Sequence, residues 1–324
     1  MVLEYKALKK LFHGSVAYKR TKGYIRPRRF LDEQIAIFND HTIPNYRFYQ
    51  DRTYCGASIT MELTTNAERI AFDYKFFFKT GVKSTFEVYV DGFLTHLVHD
   101  AELQEGKLEF TFKKGDKHIE IYIPNYSEVG IKNFEIDGEY KPVAKNKTKV
   151  LFIGDSITQG GGTERSGVTY VNVVKRAMRY EIVNLGIGGH VCEKDLLVQT
   201  SFKPDKIVVA YGTNHRRRPD EENVRRITEF FEKLNSLYGN LPVLVIMPPY
   251  AGDLDPDFLR TAFTRIKQLF EMMLAKYPNI KMVSAYEMVP HFPEYYMADM
   301  VHPNALGAEA YGARLVQAIK KLRF

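Results

Sequence analysis

Cysteine and tryptophan are the two residue types that this sequence nearly or wholly lacks. It contains two cysteines, Cys55 and Cys192, and no tryptophan. Two cysteines so far apart do not make a disulfide framework, and the sequence has no C-x-x-C metal or redox pair. The absence of tryptophan disfavours a carbohydrate groove built on indole stacking, although 21 tyrosines offer another stacking surface.

Long apolar runs are also missing. No stretch approaches the ~20 apolar residues that span a bilayer. The N-terminal segment is basic but has no continuous apolar stretch followed by a small-residue cleavage site. The sequence therefore predicts a cytoplasmic protein that does not associate with membranes.

The charge balance is basic, with 46 lysines and arginines against 39 acidic residues. The basic residues are spread along the chain, and no zinc-finger or RNP-like motif accompanies them. We therefore expect a solvated basic surface and no nucleic-acid partner, with acidic small substrates as the second interpretation.

The hydrophobic pattern changes near residue 150 of the 324, which suits two domains. Up to residue 140, short segments rich in β-branched and aromatic residues predict strands. These segments are 57–65, 68–78, 84–92, 107–112 and 118–124. Strands at this spacing, separated by turn residues such as Asp91-Gly92, are typical of a β-sandwich or jelly roll.

From Val150 onward, short apolar runs alternate with helical patterns. The apolar runs are 150–154, 181–186, 206–212, 242–249 and 280–285. Such alternation predicts a doubly wound parallel sheet, whose ligands bind beyond the carboxyl ends of the strands. We therefore predict an all-β domain at 1–140, a lysine-rich linker at 141–148 and an α/β domain at 149–324.

Ser156 directly follows the first strand of the α/β half, in LFIGDSITQG (151–160). This stretch does not match the nucleophile elbow G-x-S-x-G, because Thr158 stands where the second glycine should be. The glycine-rich motifs for phosphates and dinucleotides are also absent. On this stretch alone Ser156 is either a nucleophile or a helix cap.

A nucleophilic serine needs a general base, and the base needs an acid that orients it. Of nine histidines, His302 has the best setting, because Asp299 lies three residues before it in ADMVHPN. His96 and His99 lie three apart in a predicted strand and face opposite sides, which makes a poor metal pair. We expect no metal and no cofactor.

Two further stretches, NLGIGGH (184–190) and YGTNHRRR (211–218), follow the second and third strands. Gly189 would let a backbone N–H approach a ligand, and the Asn214 side chain offers a second donor. With the Ser156 amide these groups predict an oxyanion site. His190, His215 and Arg216 are predicted at the substrate rim. The run Arg216–Arg218 favours a solvated loop, with a carboxylate or phosphate on the substrate as the alternative.

With these residues in order, the chain resembles the SGNH (GDSL-type) hydrolases over residues 149–324. The four blocks are Gly154-Asp155-Ser156, Gly189, Gly212-Thr213-Asn214 and Asp299–Pro303. The β half is similar to the jelly-roll domain that precedes this catalytic domain in some bacterial carbohydrate esterases. One departure is that His215 stands where an aspartate often follows the block-three asparagine.

The resemblance implies a flavodoxin-like α/β/α sandwich that hydrolyses esters without a metal. Ser156 would attack the carbonyl, His302 would be the base and Asp299 would orient it, while Ser156, Gly189 and Asn214 hold the oxyanion. We expect a serine esterase acting on short-chain, above all acetyl, esters of a small molecule or oligosaccharide. A broad lipase or thioesterase, an acyltransferase, and an inactive carbohydrate-binding protein remain the alternatives. A homo-oligomer is also left open.

Overall fold

The first half of the chain folds into two antiparallel sheets that enclose one apolar core. The computed structural model describes residues 1–100, 103–253 and 256–324. The strands of this half are β1 (Phe12–His13), β2 (Ala17–Thr21), β3 (Tyr24–Arg28), β4 (Thr60–Thr65), β5 (Arg69–Lys79), β6 (Thr85–Val90), β7 (Phe93–His99), β8 (Glu105–Thr111), β9 (Lys117–Tyr122), β10 (Ser127–Ile136) and β11 (Tyr140–Pro142). Its helices are α1 (Tyr5–Lys9), α2 (Asp32–Ala36) and α3 (Tyr46–Tyr54).

The two sheets have the strand orders β2-β3-β10-β5-β8 and β1-β4-β9-β6-β7, with β11 added beside β4. Apolar side chains of both sheets meet between them, among them Phe72, Phe86 and Phe134. This arrangement confirms the β-sandwich; the narrower jelly-roll topology stays a prediction. The first two positions of the predicted linker, Lys141 and Pro142, extend the second sheet by pairing with β4.

Describing residues 1–140 as β structure alone was incomplete. The sequence pattern indicates no strand before residue 57 and does not reveal β10, although β10 pairs with both β3 and β5. It also missed α3, whose residues YRFYQDRTY are rich in tyrosine and do not show a regular apolar stripe. The position of α3 matters for the site described below.

The second half is an α/β domain with a five-stranded parallel sheet. Its strands are β12 (Lys149–Gly154), β13 (Glu181–Gly186), β14 (Lys206–Ala210), β15 (Val243–Met247) and β16 (Ile280–Ser284). Its helices are α4 (Ser156–Gln159), α5 (Tyr170–Met178), α6 (Asp220–Tyr238), α7 (Pro256–Leu274) and α8 (Ala305–Lys321). The strand order β13-β12-β14-β15-β16 is the flavodoxin-like order, which confirms the predicted fold.

Both faces of the parallel sheet are covered. Along β12, Leu151 and Ile153 point into the core formed with α6 and α7, whereas Val150 and Phe152 point into the core formed with α5 and α8. This two-sided burial explains why the strands appear in the sequence as continuous apolar runs. None of the helices in the described ranges has the length and apolar character that crossing a bilayer requires.

The two domains share a buried polar interface. The Arg29 guanidinium, fully buried, donates to the carbonyl of Gly186 at 3.1 Å and to that of Asn184, at the end of β13. The Lys175 ammonium on α5 bonds the Glu62 carboxylate of β4, and both side chains are buried. Because unpaired buried charges are strongly destabilising, these contacts fix how the β-sandwich sits on the α/β domain.

Candidate active site

Ser156 begins α4 directly after β12, at the carboxyl edge of the parallel sheet. The Asp155 carboxylate caps this helix by accepting a 3.0 Å hydrogen bond from the amide of Ile157. A Cβ at Gly154 would lie 2.6 Å from the carbonyl oxygen of Ala210 and closer still to Thr158, so the tight turn needs glycine. Asp155 is therefore the helix cap, and the Ser156 hydroxyl is left for other contacts.

The structure brings Ser156, His302 and Asp299 together from opposite ends of the α/β domain. The Ser156 Oγ lies 2.7 Å from Nε2 of His302. On the other side of the ring, Nδ1 lies 2.6 Å from Oδ2 of Asp299. This is the serine–imidazole–carboxylate arrangement in which a base can take the hydroxyl proton.

The loop 297–304 holds the imidazole and the carboxylate in register. The second oxygen of Asp299 accepts hydrogen bonds from the amides of Val301 (2.9 Å) and His302 (3.0 Å), and Met300, which lies between Asp299 and Val301, has a left-handed φ of 55°. Burial alone would raise the pKa of Asp299, but the hydrogen bonds from His302 and Val301 bring it below its ordinary value. The carboxylate is therefore ionised at neutral pH and can accept a hydrogen bond from the His302 ring.

The predicted oxyanion donors lie along the same cavity as Ser156. Gly189 has a φ of +77°, which favours glycine, and it follows Gly188, whose amide donates to the side-chain oxygen of Gln159 at 2.8 Å. Asn214 uses one amide hydrogen for the carbonyl of His190 at 2.9 Å. Its amide carries a second hydrogen, so it can still donate to a ligand.

A cavity of about 550 Å³ opens above these groups. One side is formed by Ser156, Gly189, Asn214 and His302 of the α/β domain. The β-sandwich domain contributes the opposite wall with Phe48, Arg52, Val82, Lys83 and Tyr126. None of these five residues was identified from the sequence, because no motif marks them and only the domain packing places them at the cavity.

The predicted substrate rim is wrong. His190 and His215 are buried, and burial lowers the pKa of each to about 3, so both rings are neutral at physiological pH. Arg216 is 2% exposed and donates to the carbonyl of Thr213 at 2.9 Å and to Asp253 at 3.2 Å. None of the three lines the cavity.

The rest of the arginine run is also paired. Arg217 and Arg218 form ion pairs with Asp253 and Glu222, at 2.6 Å in each case. His215, which departs from the family pattern, packs against Tyr211 and Phe270 in the core. The short 3₁₀ turn Asn214–Arg217 leaves Asn214 at the cavity and turns the next two side chains inward. The basic residues at the cavity are Arg52 and Lys83 instead.

One carboxyl group below the nucleophile has a shifted pKa. Asp155 is buried, and its desolvation raises its pKa to about 6 against the opposing hydrogen bond from Ile157.

Away from the cavity, ligand atoms of Glu62, His118 and Glu120 lie within 4.8 Å of one another. The Lys175 ammonium already bonds Glu62 there, so this group forms part of an ion-pair network.

The whole chain is similar in fold to two-domain esterases and to an acyltransferase. A salicylyl-acyltransferase from a tetracycline biosynthetic pathway has a TM-score of 0.75 at 17% identity, over 96% of this chain and 94% of that one. An acetyl xylan esterase from the rumen bacterium Butyrivibrio proteoclasticus has a TM-score of 0.67 at 14% identity, over 100% of this chain and 98% of that one. A family two carbohydrate esterase from Cellvibrio japonicus has a TM-score of 0.68 at 15% identity, over 99% of this chain and 97% of that one.

These identities are low enough that the structural likeness establishes the fold alone. Curated protein sequences give no match to the chain. The sequence pattern of one family does match, over residues 152–310, a span that includes Ser156, Asp299 and His302. That pattern is the one of the GDSL-like lipase/acylhydrolase family, and the match lies within the α/β domain.

Proposed function

We propose that the chain is a serine esterase that acts on short-chain acyl esters, with acetylated carbohydrates as its substrates. The observation that carries this proposal is the pair of contacts made by His302, 2.7 Å to the Ser156 hydroxyl and 2.6 Å to the Asp299 carboxylate. The fold shared with carbohydrate esterases supports the carbohydrate part. The cytoplasmic location stays a prediction from the sequence.

In the first half-reaction, Ser156 Oγ bonds to the ester carbonyl carbon and its proton passes to Nε2 of His302. The oxyanion then accepts hydrogen bonds from the amides of Ser156 and Gly189 and from the Asn214 side chain. As the carbon–oxygen bond breaks, His302 returns the proton to the leaving alcohol, and the acyl group stays on Ser156.

In the second half-reaction, a water gives a proton to His302 and attacks the acyl-enzyme. The tetrahedral intermediate breaks down to free acid and the restored hydroxyl. Asp299 stays ionised throughout and favours the protonated imidazole in both steps.

An acyltransferase is the second candidate, because a sugar or other hydroxyl can replace water in the second step. The observation that favours it is the similarity over almost the entire chain to a salicylyl-acyltransferase. A product analysis with and without an added acceptor alcohol separates the two, since only transfer converts the acceptor into an ester.

A series of 4-nitrophenyl esters from acetyl to octanoyl tests the esterase proposal. We expect kcat/KM to be highest for acetyl and to fall with chain length, and Ser156→Ala to abolish turnover. A maximum at octanoyl would replace the acetylesterase with a lipase or thioesterase, and full activity in Ser156→Ala would refute the proposal.

A further inference from the structure

The charged side chains of the cavity do not all face the same part of it. Besides His302 they are Arg52, Lys83, Glu164 and Asp299. Asp299 is engaged by the imidazole and two amides. Lys83 and Glu164 are both exposed. Their chain segments lie side by side, because the Thr85 hydroxyl, two residues after Lys83, donates a hydrogen bond to the carbonyl of Glu164. Arg52 lies elsewhere, against Gly188.

The Arg52 side chain is held in place from several directions. It projects from α3, and its guanidinium carbon lies 3.4 Å from the centroid of the Phe48 ring. A Cβ at Gly188 would lie 2.7 Å from Nε of Arg52, so only glycine allows this approach. The carbonyl of Arg52 accepts a 2.9 Å hydrogen bond from Arg29. The helix backbone is thus anchored by Arg29, and the guanidinium itself lies between the Phe48 ring and Gly188.

In the part of the chain that the structure describes, no carboxylate pairs with this guanidinium, although the charge of Asp51 lies near enough to act on it. Among the residues that the structure describes, its one hydrogen bond is a long contact of 3.5 Å to the carbonyl of Phe48, and no carboxylate forms an ion pair with it. Partial burial lowers the pKa of Arg52, but from a value near 12.5, so the group remains charged at neutral pH. By contrast, the nearby Arg26 and Arg28 both pair with Glu128.

An arginine offers five N–H donors in a planar fork that matches a carboxylate. Arg52 presents this fork to the cavity next to the 188–189 turn, which carries the proposed oxyanion donor Gly189. We propose that Arg52 is a specificity residue that binds a carboxylate carried by the ester substrate. This inference rests on the proposed esterase function. The carboxylate belongs either to the alcohol, as in an acetylated uronic acid, or to the acyl group, as in a half-ester of a dicarboxylic acid.

Two matched pairs of substrates test the proposal and separate these sources. The first pair is monoacetylated glucuronic acid and its methyl ester, followed by acetate release. The second is 4-nitrophenyl hydrogen adipate and its methyl ester, followed by nitrophenol release. The enzymes are the wild type, Arg52→Gln, Arg52→Lys, and Arg47→Gln, an exposed position on the same helix that does not line the cavity.

The measured quantity is the ratio of kcat/KM for the anionic ester to that for its neutral methyl ester. Arg52→Gln should lower this ratio about 10-fold to 100-fold in one of the two pairs, because hydrogen bonds to charged groups have about this strength. Arg52→Lys should give an intermediate ratio, and Arg47→Gln the wild-type ratio. The affected pair identifies which part of the substrate carries the carboxylate.

Inhibition of the wild-type enzyme gives a measurement that does not depend on variant folding. Free glucuronate or adipate should compete with 4-nitrophenyl acetate at least 10-fold better than its methyl ester. Equal inhibition by acid and methyl ester, or an unchanged substrate ratio in Arg52→Gln, overturns the inference while ester hydrolysis still supports the proposed function. If no ester is hydrolysed, the proposed function itself fails.

Discussion

The side-chain oxygen of Gln159 accepts a 2.8 Å hydrogen bond from the main-chain amide of Gly188. Gln159 is the last residue of α4, which begins at Ser156, and it is buried. Gly188 precedes Gly189, the proposed oxyanion donor. This single bond therefore ties the helix of the proposed nucleophile to the turn that holds the oxyanion donor.

We expect Gln159→Ala to lower kcat about 10-fold with little change in KM, because a small displacement of the Gly189 amide matters most in the transition state. Steady-state kinetics on 4-nitrophenyl acetate measure both parameters. Gln199→Ala, which removes a glutamine bonded to a remote carbonyl, serves as the control. A change in KM alone would assign Gln159 to substrate binding rather than to positioning.

Gly162 packs directly against the proposed base. It has a φ of +85°, and a Cβ there would lie 2.4 Å from the carbonyl oxygen of Pro303 and 2.8 Å from Cβ of His302. Gly92 has nearly the same φ, +84°, with nothing within 4 Å, and so controls for backbone strain alone.

Gly92→Ala should lower the free energy of unfolding by about 1 kcal/mol and leave turnover unchanged. Gly162→Ala should lower it further and reduce kcat/KM at least 10-fold, since His302 must move away from Ser156. Urea unfolding and initial rates on the two variants make the comparison. Equal effects on turnover would show that the 160–162 turn does not position the imidazole.

Arg29 is one of the buried connections between the domains. Replacement by methionine leaves the carbonyls of Asn184 and Gly186 without their donor, so the free energy of unfolding should fall by ~2 kcal/mol or more. Arg47→Met, at an exposed position, should change it by less than about 0.5 kcal/mol. Denaturant unfolding of both variants is the measurement, and similar stabilities would contradict a structural role for Arg29.

Asp155 gives the fold a pH dependence with a defined sign. Its folded pKa of about 6 exceeds the ordinary 3.8, so the folded state binds the proton more tightly than the unfolded state. The stabilisation from this group is present below about pH 4 and is lost as the pH rises through 6, a change of about 3 kcal/mol.

Asp155→Asn keeps a capping oxygen but does not titrate. Relative to the wild type, this variant should therefore gain about 2 kcal/mol in free energy of unfolding between pH 4 and pH 7.5. Unfolding curves of both proteins at the two pH values give the difference directly. A difference that does not vary with pH would mean that Asp155 titrates normally.

The fold of the α/β half was predictable because its strands are buried on both faces. The segments 150–154, 181–186 and 280–285 predicted from apolar runs agree with β12, β13 and β16 to within a residue. In the β half, β10 and α3 were missed. Tyr49 and Arg52 of α3 contact His190 and Gly188 of the α/β domain, a placement that a local pattern does not record.

The candidate site was also predictable from the sequence only in part. Ser156 follows a strand and Asp299 precedes His302 by three residues, and the resemblance to the SGNH hydrolases implied that the three side chains meet. His215 and Arg216 follow Asn214 directly, yet they turn inward because His215 packs on Phe270 and Arg216 bonds Asp253. The direction of a side chain after a strand depends on partners far away in sequence, and so does the placement of Arg52.

Covalent labelling of the serine hydroxyl shows whether Ser156 is the nucleophile. The wild-type protein is treated with a fluorophosphonate and its mass is measured intact and after digestion. We expect one label per chain on the peptide that contains Ser156, no label in Ser156→Ala, and full labelling in Ser201→Ala, an exposed serine away from the cavity. Labelling that persists in Ser156→Ala, or a wild type that takes up no label while it hydrolyses esters, would contradict this role of Ser156.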